Sequence, residues 1–174
     1  MRIALEMHNK TATALPQKRF FVLATKYAFK ILNPKPAIPY PRIEISLIFI
    51  STAEIRRLNL TWRKKDKSTD VLSFPYHAGS VMRNVESGNT VTLGKIMPVK
   101  DSDGVIRLGE ILIVPQIAKK EAAQFEHSVP EHLIFLFVHG LLHLLGYDHE
   151  RSRSDSLVMQ KIQNAVLRQF SYHN

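Results

Sequence analysis

The sequence predicts an α+β fold of about four strands and about five helices, with one apolar, histidine-bearing helix in the core. Three observations predict it. Residues 3–7, 43–50, 71–74 and 108–114 are short runs rich in apolar and β-branched side chains, the mark of strands. Longer stretches at about 16–32, 51–62, 115–126, 128 onward and 153–171 carry the spacing or the start signals of helices. The fourth of these is apolar on most sides (Leu133, Ile134, Leu136, Phe137, Leu141, Leu142, Leu144, Leu145), which places it inside rather than on the surface.

Each element follows from its own residues. Residues 3–7 alternate apolar and polar side chains, as a half-buried strand does. Pro16 opens a helix to about residue 32, with Phe20, Leu23, Ala24, Tyr27 and Ile31 on its core-facing side. Asn33-Pro34-Lys35-Pro36-Ala37-Ile38-Pro39-Tyr40-Pro41 cannot continue that helix and reads as an extended connector. After the isoleucine-rich strand 43–50, Ser51 and Glu54 form a capping box that opens a helix to about Trp62, with Ile55 and Leu58 inward. Arg63-Lys64-Lys65-Asp66-Lys67-Ser68-Thr69-Asp70 reads as a charged loop, and residues 71–74 as a buried strand closed by Pro75. From about 78 to 107, Gly79, Gly88, Gly94 and Gly104 among polar residues indicate a long loop, or a hairpin around Ser87-Gly88-Asn89. Strand 108–114 ends at Pro115, where a helix to about 126 begins. Ser128-Val129-Pro130-Glu131 is a second capping box, opening the apolar helix. A last helix packs Leu157, Ile162, Ala165 and Leu167 back on the domain. No repeat divides the chain, and 174 residues suit one domain over 1–174.

Composition narrows the chemistry. The chain has no cysteine, so disulfides and thiolate metal sites are excluded and histidine or carboxylate must serve as ligands. No apolar run approaches the ~20 residues of a membrane span. The start, Met1-Arg2-Ile3-Ala4-Leu5-Glu6, lacks the long apolar core of a signal peptide, and the expectation is a cytoplasmic protein. Lys and Arg number 24 against 15 Asp and Glu, a net charge of +9 that favours a polyanionic partner, nucleic acid first.

The chemistry centres on His139-Gly140-Leu141-Leu142-His143-Leu144-Leu145-Gly146-Tyr147-Asp148-His149. Four helical residues turn about 400°, so His139 and His143 share a face one turn apart. His149, about 600° and roughly 9 Å beyond His143, would lie on the far side of a continued helix. Gly146 resolves this, because glycine adopts the left-handed conformation that ends a helix and reverses the chain. Three imidazoles with an open fourth position suit a catalytic zinc ion rather than a structural one. The spacing matches the metzincin pattern at all three histidines and the glycine, making this a zincin-like metal helix. Gly140, however, stands where those peptidases carry their glutamate base, which argues against peptide hydrolysis.

That stretch strongly resembles the H-G-x-L-H-L-x-G-Y-D-H pattern of the YbeY family of bacterial endoribonucleases. Leu58-Asn59-Leu60-Thr61-Trp62-Arg63-Lys64-Lys65-Asp66-Lys67-Ser68-Thr69-Asp70-Val71-Leu72-Ser73-Phe74-Pro75 resembles the family's other pattern. Leu108-Gly109-Glu110-Ile111 is similar to its L-G-D-I strand, with glutamate for aspartate. The segment 79–107 is longer than the family's usual connection. The resemblance implies a small mixed sheet packed with helices and one zinc ion on His139, His143 and His149. It implies a single-strand-specific endoribonuclease acting in 3′-end maturation of 16S ribosomal RNA and in ribosome quality control. Its partners would be ribosomal RNA and the ribosome or its small subunit, with ribosomal proteins or assembly factors alongside.

Arg63 is the candidate phosphate clamp, since its planar guanidinium matches two phosphate oxygens; the resemblance selects it from an otherwise ordinary basic loop. Lys64, Lys65 and Lys67 supply sequence-independent attraction to the RNA backbone. Ser73 and Tyr147 are candidate lining residues. Asp70 and Asp148 are open between orienting a histidine and shaping a turn. Spacing recommends none of His77, His127 and His132. Two other functions fit parts of the pattern: a zinc-braced, non-catalytic ribosomal-RNA-binding assembly factor, and a metallopeptidase.

Overall fold

Strands β1 (Arg2–Asn9), β2 (Arg42–Phe49), β3 (Val71–Pro75) and β4 (Val105–Ile113) form a sheet in the order β1-β2-β4-β3. β1, β2 and β4 run parallel and β3 antiparallel to β4, so the sheet is mixed. The helices are α1 (Lys18–Leu32), α2 (Thr52–Arg63), α3 (Pro115–Gln124), α4 (Val129–Leu144) and α5 (Arg153–Ser171). The computed structural model describes residues 1–32, 42–76, 103–150 and 152–171. The predicted hairpin near 87–89 and the proline connector lie outside them.

Alternation in β2 decides the layers. Ile43, Ile45, Leu47 and Phe49 are buried on one face, and α1, α4 and α5 pack their apolar sides there. Phe21 of α1 sets the junction, its ring 5.2 Å from Phe137 of α4 and 6.0 Å from Phe49 of β2. The opposite face carries a smaller cluster in which Ile55 of α2 covers Leu72 and Leu112.

β4 changes face midway. Ile106 and Leu108 point into the main core, yet so do Ile111 and Ile113. A period of two cannot do this without an extra residue, and the pairing shows one: Arg107 opposes Glu44 while Gly109 opposes Ile45. Gly109 holds φ +137°, and a Cβ there would lie 2.2 Å from the Phe74 carbonyl oxygen. The bulge therefore requires glycine, and it turns Glu110 out of the main core.

Several details differ from the sequence expectation. The buried stripe of α1 is Phe21, Ala24, Thr25, Ala28, Phe29 and Leu32; Phe20, Tyr27 and Ile31 flank it half-buried. The helix is apolar around more than half its girth, so spacing alone did not fix which side faces inward. Leu157 is 49% exposed, and Met159, Ile162 and Val166 are the buried apolar residues of α5. Among the described residues β3 is the edge strand, with only Leu72 buried, since none of the described strands covers its outer side. β4 begins at Val105, so the long excursion ends earlier than 107. Arg63 is the last residue of α2, not part of a loop. Ser51 Oγ accepts the Glu54 N–H, but the Glu54 carboxylate faces Lys10 Nζ at 3.5 Å, so this cap is not reciprocal.

Replacing Gly109 by alanine should destabilise the fold by at least about 3 kcal/mol, because Cβ meets backbone atoms that cannot yield. Urea unfolding of Gly109→Ala checks this; a loss below about 1 kcal/mol would show that the bulge relaxes.

Candidate metal centre

Helix α4 is fixed at both ends by its own residues. At the start, Ser128 Oγ accepts the Glu131 N–H at 3.4 Å, while Glu131 Oε2 accepts the Ser128 amide at 2.8 Å and its hydroxyl at 2.6 Å. At the end, Gly146 takes φ +84°. The Gly146 amide donates to the His143 carbonyl (2.9 Å) and the Tyr147 amide to the Leu142 carbonyl (3.0 Å). This paired bonding around a left-handed glycine is the Schellman stop. It turns the chain so that Tyr147, Asp148 and His149 fold back over the helix end.

The turn brings the third imidazole to the other two. Ring centroids lie 4.8 Å apart for His139–His143, 5.1 Å for His139–His149 and 5.2 Å for His143–His149. Their ligating nitrogens all fall within 4.8 Å of one another, and the Nε2 atoms of His139 and His143 are 3.1 Å apart. Tetrahedral coordination at 2.0–2.1 Å spaces nitrogens about 3.4 Å apart, so the set fits one small ion with minor adjustment. Among the described residues this is the one group of three or more histidine or acidic side chains placed to hold a metal.

Electrostatics suits the role. Burial, then the neighbouring His143 and His149, lower the His139 pKa to about 4. The His143 pKa is lowered as well, by burial and by His149. Both rings are thus neutral near pH 7, with lone pairs for a metal. The Tyr147 backbone also acts on His143, favouring its protonated form, so the glycine turn bears on a second ring of the set as well as carrying the third.

The triad lies in a cleft of about 740 Å³ between α4 and the α2–β3 connection, walled by Arg63, Lys65, Lys67, Asp70, Ser73 and Tyr147. Comparison with known proteins places the whole arrangement. The family model described as "Endoribonuclease YbeY" matches residues 6–171. The chain belongs to the YbeY family. A Heliobacterium modesticaldum relative named "Endoribonuclease YbeY" is 37% identical, over 93% of each chain. Relatives of the same name from Rhizobium johnstonii (39%) and Aquifex aeolicus (35%) align over 75% and 78% of this chain and 66% and 75% of their own lengths. A solution structure from Thermotoga maritima shares the fold at TM-score 0.52 and 21% identity, covering 98% of this chain and 93% of that one.

The structure separates the residues that sequence had grouped on the YbeY pattern. Arg63 reaches the cleft from the end of α2, but its Nη2 is paired with Glu150 at 3.0 and 3.3 Å. Lys65 and Lys67 line the cleft. Lys64 does not: it takes φ +58° as the α2 cap and turns its Nζ to the Thr61 carbonyl (3.0 Å). Asp70 accepts the Thr69 hydroxyl at 2.8 Å and its carbonyl accepts the Val114 amide, ties that shape the loop. Asp148 accepts the Glu150 amide at 2.9 Å, bracing the return that carries His149. Glu150 and Gln163 were missed. Glu150 carried no signal, being one acid in a charged turn; Gln163 did, as a polar residue on the buried stripe of α5 beside Ile162 and Val166.

Gly140 has a packing reason for lacking a side chain. A Cβ there would lie 2.8 Å from Ile111 Cγ2 and 2.9 Å from Ser73 Oγ. Any side chain at this position, a peptidase-like glutamate included, would have to displace Ile111 and Ser73. Gly140→Ala should cost about 1–3 kcal/mol by overpacking. Chemical denaturation measures it, and an unchanged midpoint would show that Ser73 and Ile111 move aside freely.

Proposed function

We propose that residues 1–174 form one catalytic domain, a single-strand-specific endoribonuclease whose histidine triad holds one zinc ion. In this reading it works in the cytoplasm on ribosomal RNA, in 16S 3′-end maturation and ribosome quality control, with the ribosome or its small subunit as partner. The observation that carries the proposal is the convergence of three imidazoles at a cleft that Arg63, Lys65 and Lys67 line together with Asp70, Asp148 and Glu150, in a chain whose family is named for endoribonuclease activity. Among the described residues no helix is long and apolar enough to cross a membrane.

Phosphodiester cleavage adds negative charge at phosphorus and requires a nucleophile. A zinc ion on the triad supplies Lewis acidity and nucleophile activation, chemistry that works without a protein carboxylate base and so agrees with Gly140. His139, His143 and His149 hold the ion. Arg63 stabilises the charged phosphate through its planar fork, which requires it to exchange Glu150 for the substrate. Lys65 and Lys67 draw the RNA backbone into the cleft without reading bases, and Ser73 offers a hydroxyl to the strand on the sheet side. Lys64, spent on the helix cap, contributes only at longer range.

Two experiments test this reading. His143→Ala, or removal of metal by a chelator, should abolish cutting of single-stranded RNA while binding of the same RNA stays within about threefold. If the variant instead unfolds or loses RNA, the metal braces the fold and the assembly-factor reading holds. Glu150→Gln frees Arg63 from an exposed ion pair, so RNA binding at low salt should tighten about two- to fivefold and the gain should fade as salt rises. Titration with fluorescent RNA at two salt concentrations decides; unchanged affinity would show that Glu150 does not compete with phosphate.

A further inference from the structure

Metal-binding imidazoles need their second nitrogen held, because a freely rotating or wrongly protonated ring offers no lone pair. The structure places a device for this on His139. Gln163 lies on α5, only 5% exposed, among Ile162, Val166 and Met159. An amide there is costly to bury unless both of its ends are used. Its Nε2 donates to the Phe135 carbonyl at 3.1 Å, on the turn of α4 preceding His139. With the NH₂ end committed, the oxygen remains, and His139, four residues on from Phe135 and so on the same face of α4, leans its ring back over that turn toward it. The His139 Nε2 meanwhile faces His143 Nε2 at 3.1 Å, so the ring presents Nδ1 to Gln163.

We infer that Gln163 is the positioning residue of the metal centre: anchored on the Phe135 carbonyl, its oxygen accepts the Nδ1 proton of His139 and leaves Nε2 free for the ion. The inference rests on the metal-centre reading and adds a residue from α5 to a site otherwise built from α4 and its turn. It also explains a glutamine in the middle of an apolar stripe. The amide ties α5 to the helix it packs on, and it sets the tautomer of one ligand.

The test uses the full chain and Zn²⁺ as the probe. Gln163→Met keeps volume and removes both hydrogen bonds; Gln163→Glu keeps an acceptor for the Nδ1 proton. Competition against a chelator should show Zn²⁺ affinity reduced about 10–100-fold in Gln163→Met and held within about threefold of the parent in Gln163→Glu. ¹⁵N spectra of the metal-free protein should show His139 as the Nδ1–H tautomer in the parent and moved toward Nε2–H in Gln163→Met, with His143 unchanged. Equal loss of affinity in both variants, or no loss in Gln163→Met, overturns the assignment. So does an Nε2–H tautomer of His139 in the parent, a measurement that decides the matter even if Gln163→Met does not fold. A parent that binds no Zn²⁺ would instead defeat the metal-centre reading itself, which separates the two failures.

Discussion

The structure depends on one constraint: an almost wholly apolar helix must be buried, and its buried length must end abruptly. Burial makes α4 a fixed mount, because its Leu, Ile and Phe side chains are held by the sheet on one side and by α1 and α5 around it. The abrupt end comes from Gly146, whose left-handed backbone lets the following residues reverse rather than continue outward. A non-glycine residue there would be strained, and His149 would lose the turn that returns it to its partners. The rigid helix and the sharp stop together convert three sequence neighbours into a triangle of rings about 5 Å on a side.

Close approach of helix and sheet is the second consequence of that burial. Gly140 lets α4 settle against Ile111 and Ser73, and Gly109 lets β4 pass under Phe74 while changing face. The first removes the position from which a peptidase would draw its base. The second turns Glu110 out of the core while Ile111 and Ile113 stay beneath the helix. Packing and chemistry are thus decided by the same two residues, each chosen for lacking a side chain.

Charge acts at longer range. The excess of cations is general, but within the cleft it is tempered: Glu150 engages Arg63 beside the triad. On His139 and His143 burial and the neighbouring imidazoles act in one sense, lowering both pKa values, while Asp70 opposes this at His139 and Asp148 and Glu150 oppose it at His143. Lone pairs on His139 and His143, beneath a rim that includes Arg63, Lys65 and Lys67, suit a metal ion below and a phosphate above.

Much of this was legible in the residues themselves. Strand and helix periods, the Ser128 cap, the glycine stop and the His139, His143 and His149 spacing are local, and local geometry follows from chain stereochemistry and short hydrogen bonds. What lay beyond the sequence was long-range. Arg63 and Glu150 meet across 87 residues, and Gln163 and Phe135 across 28. No periodicity encodes such meetings, because they follow from how the helices pack. The same holds for the face of α1 that turns inward and for the Leu108–Gly109 bulge, since each was settled by competition among several apolar surfaces for one core. The sequence therefore determined the turn that gathers the three histidines, whose geometry is contained in a few successive residues. Only the tertiary structure decided what surrounds it, because neighbours in space are chosen by packing.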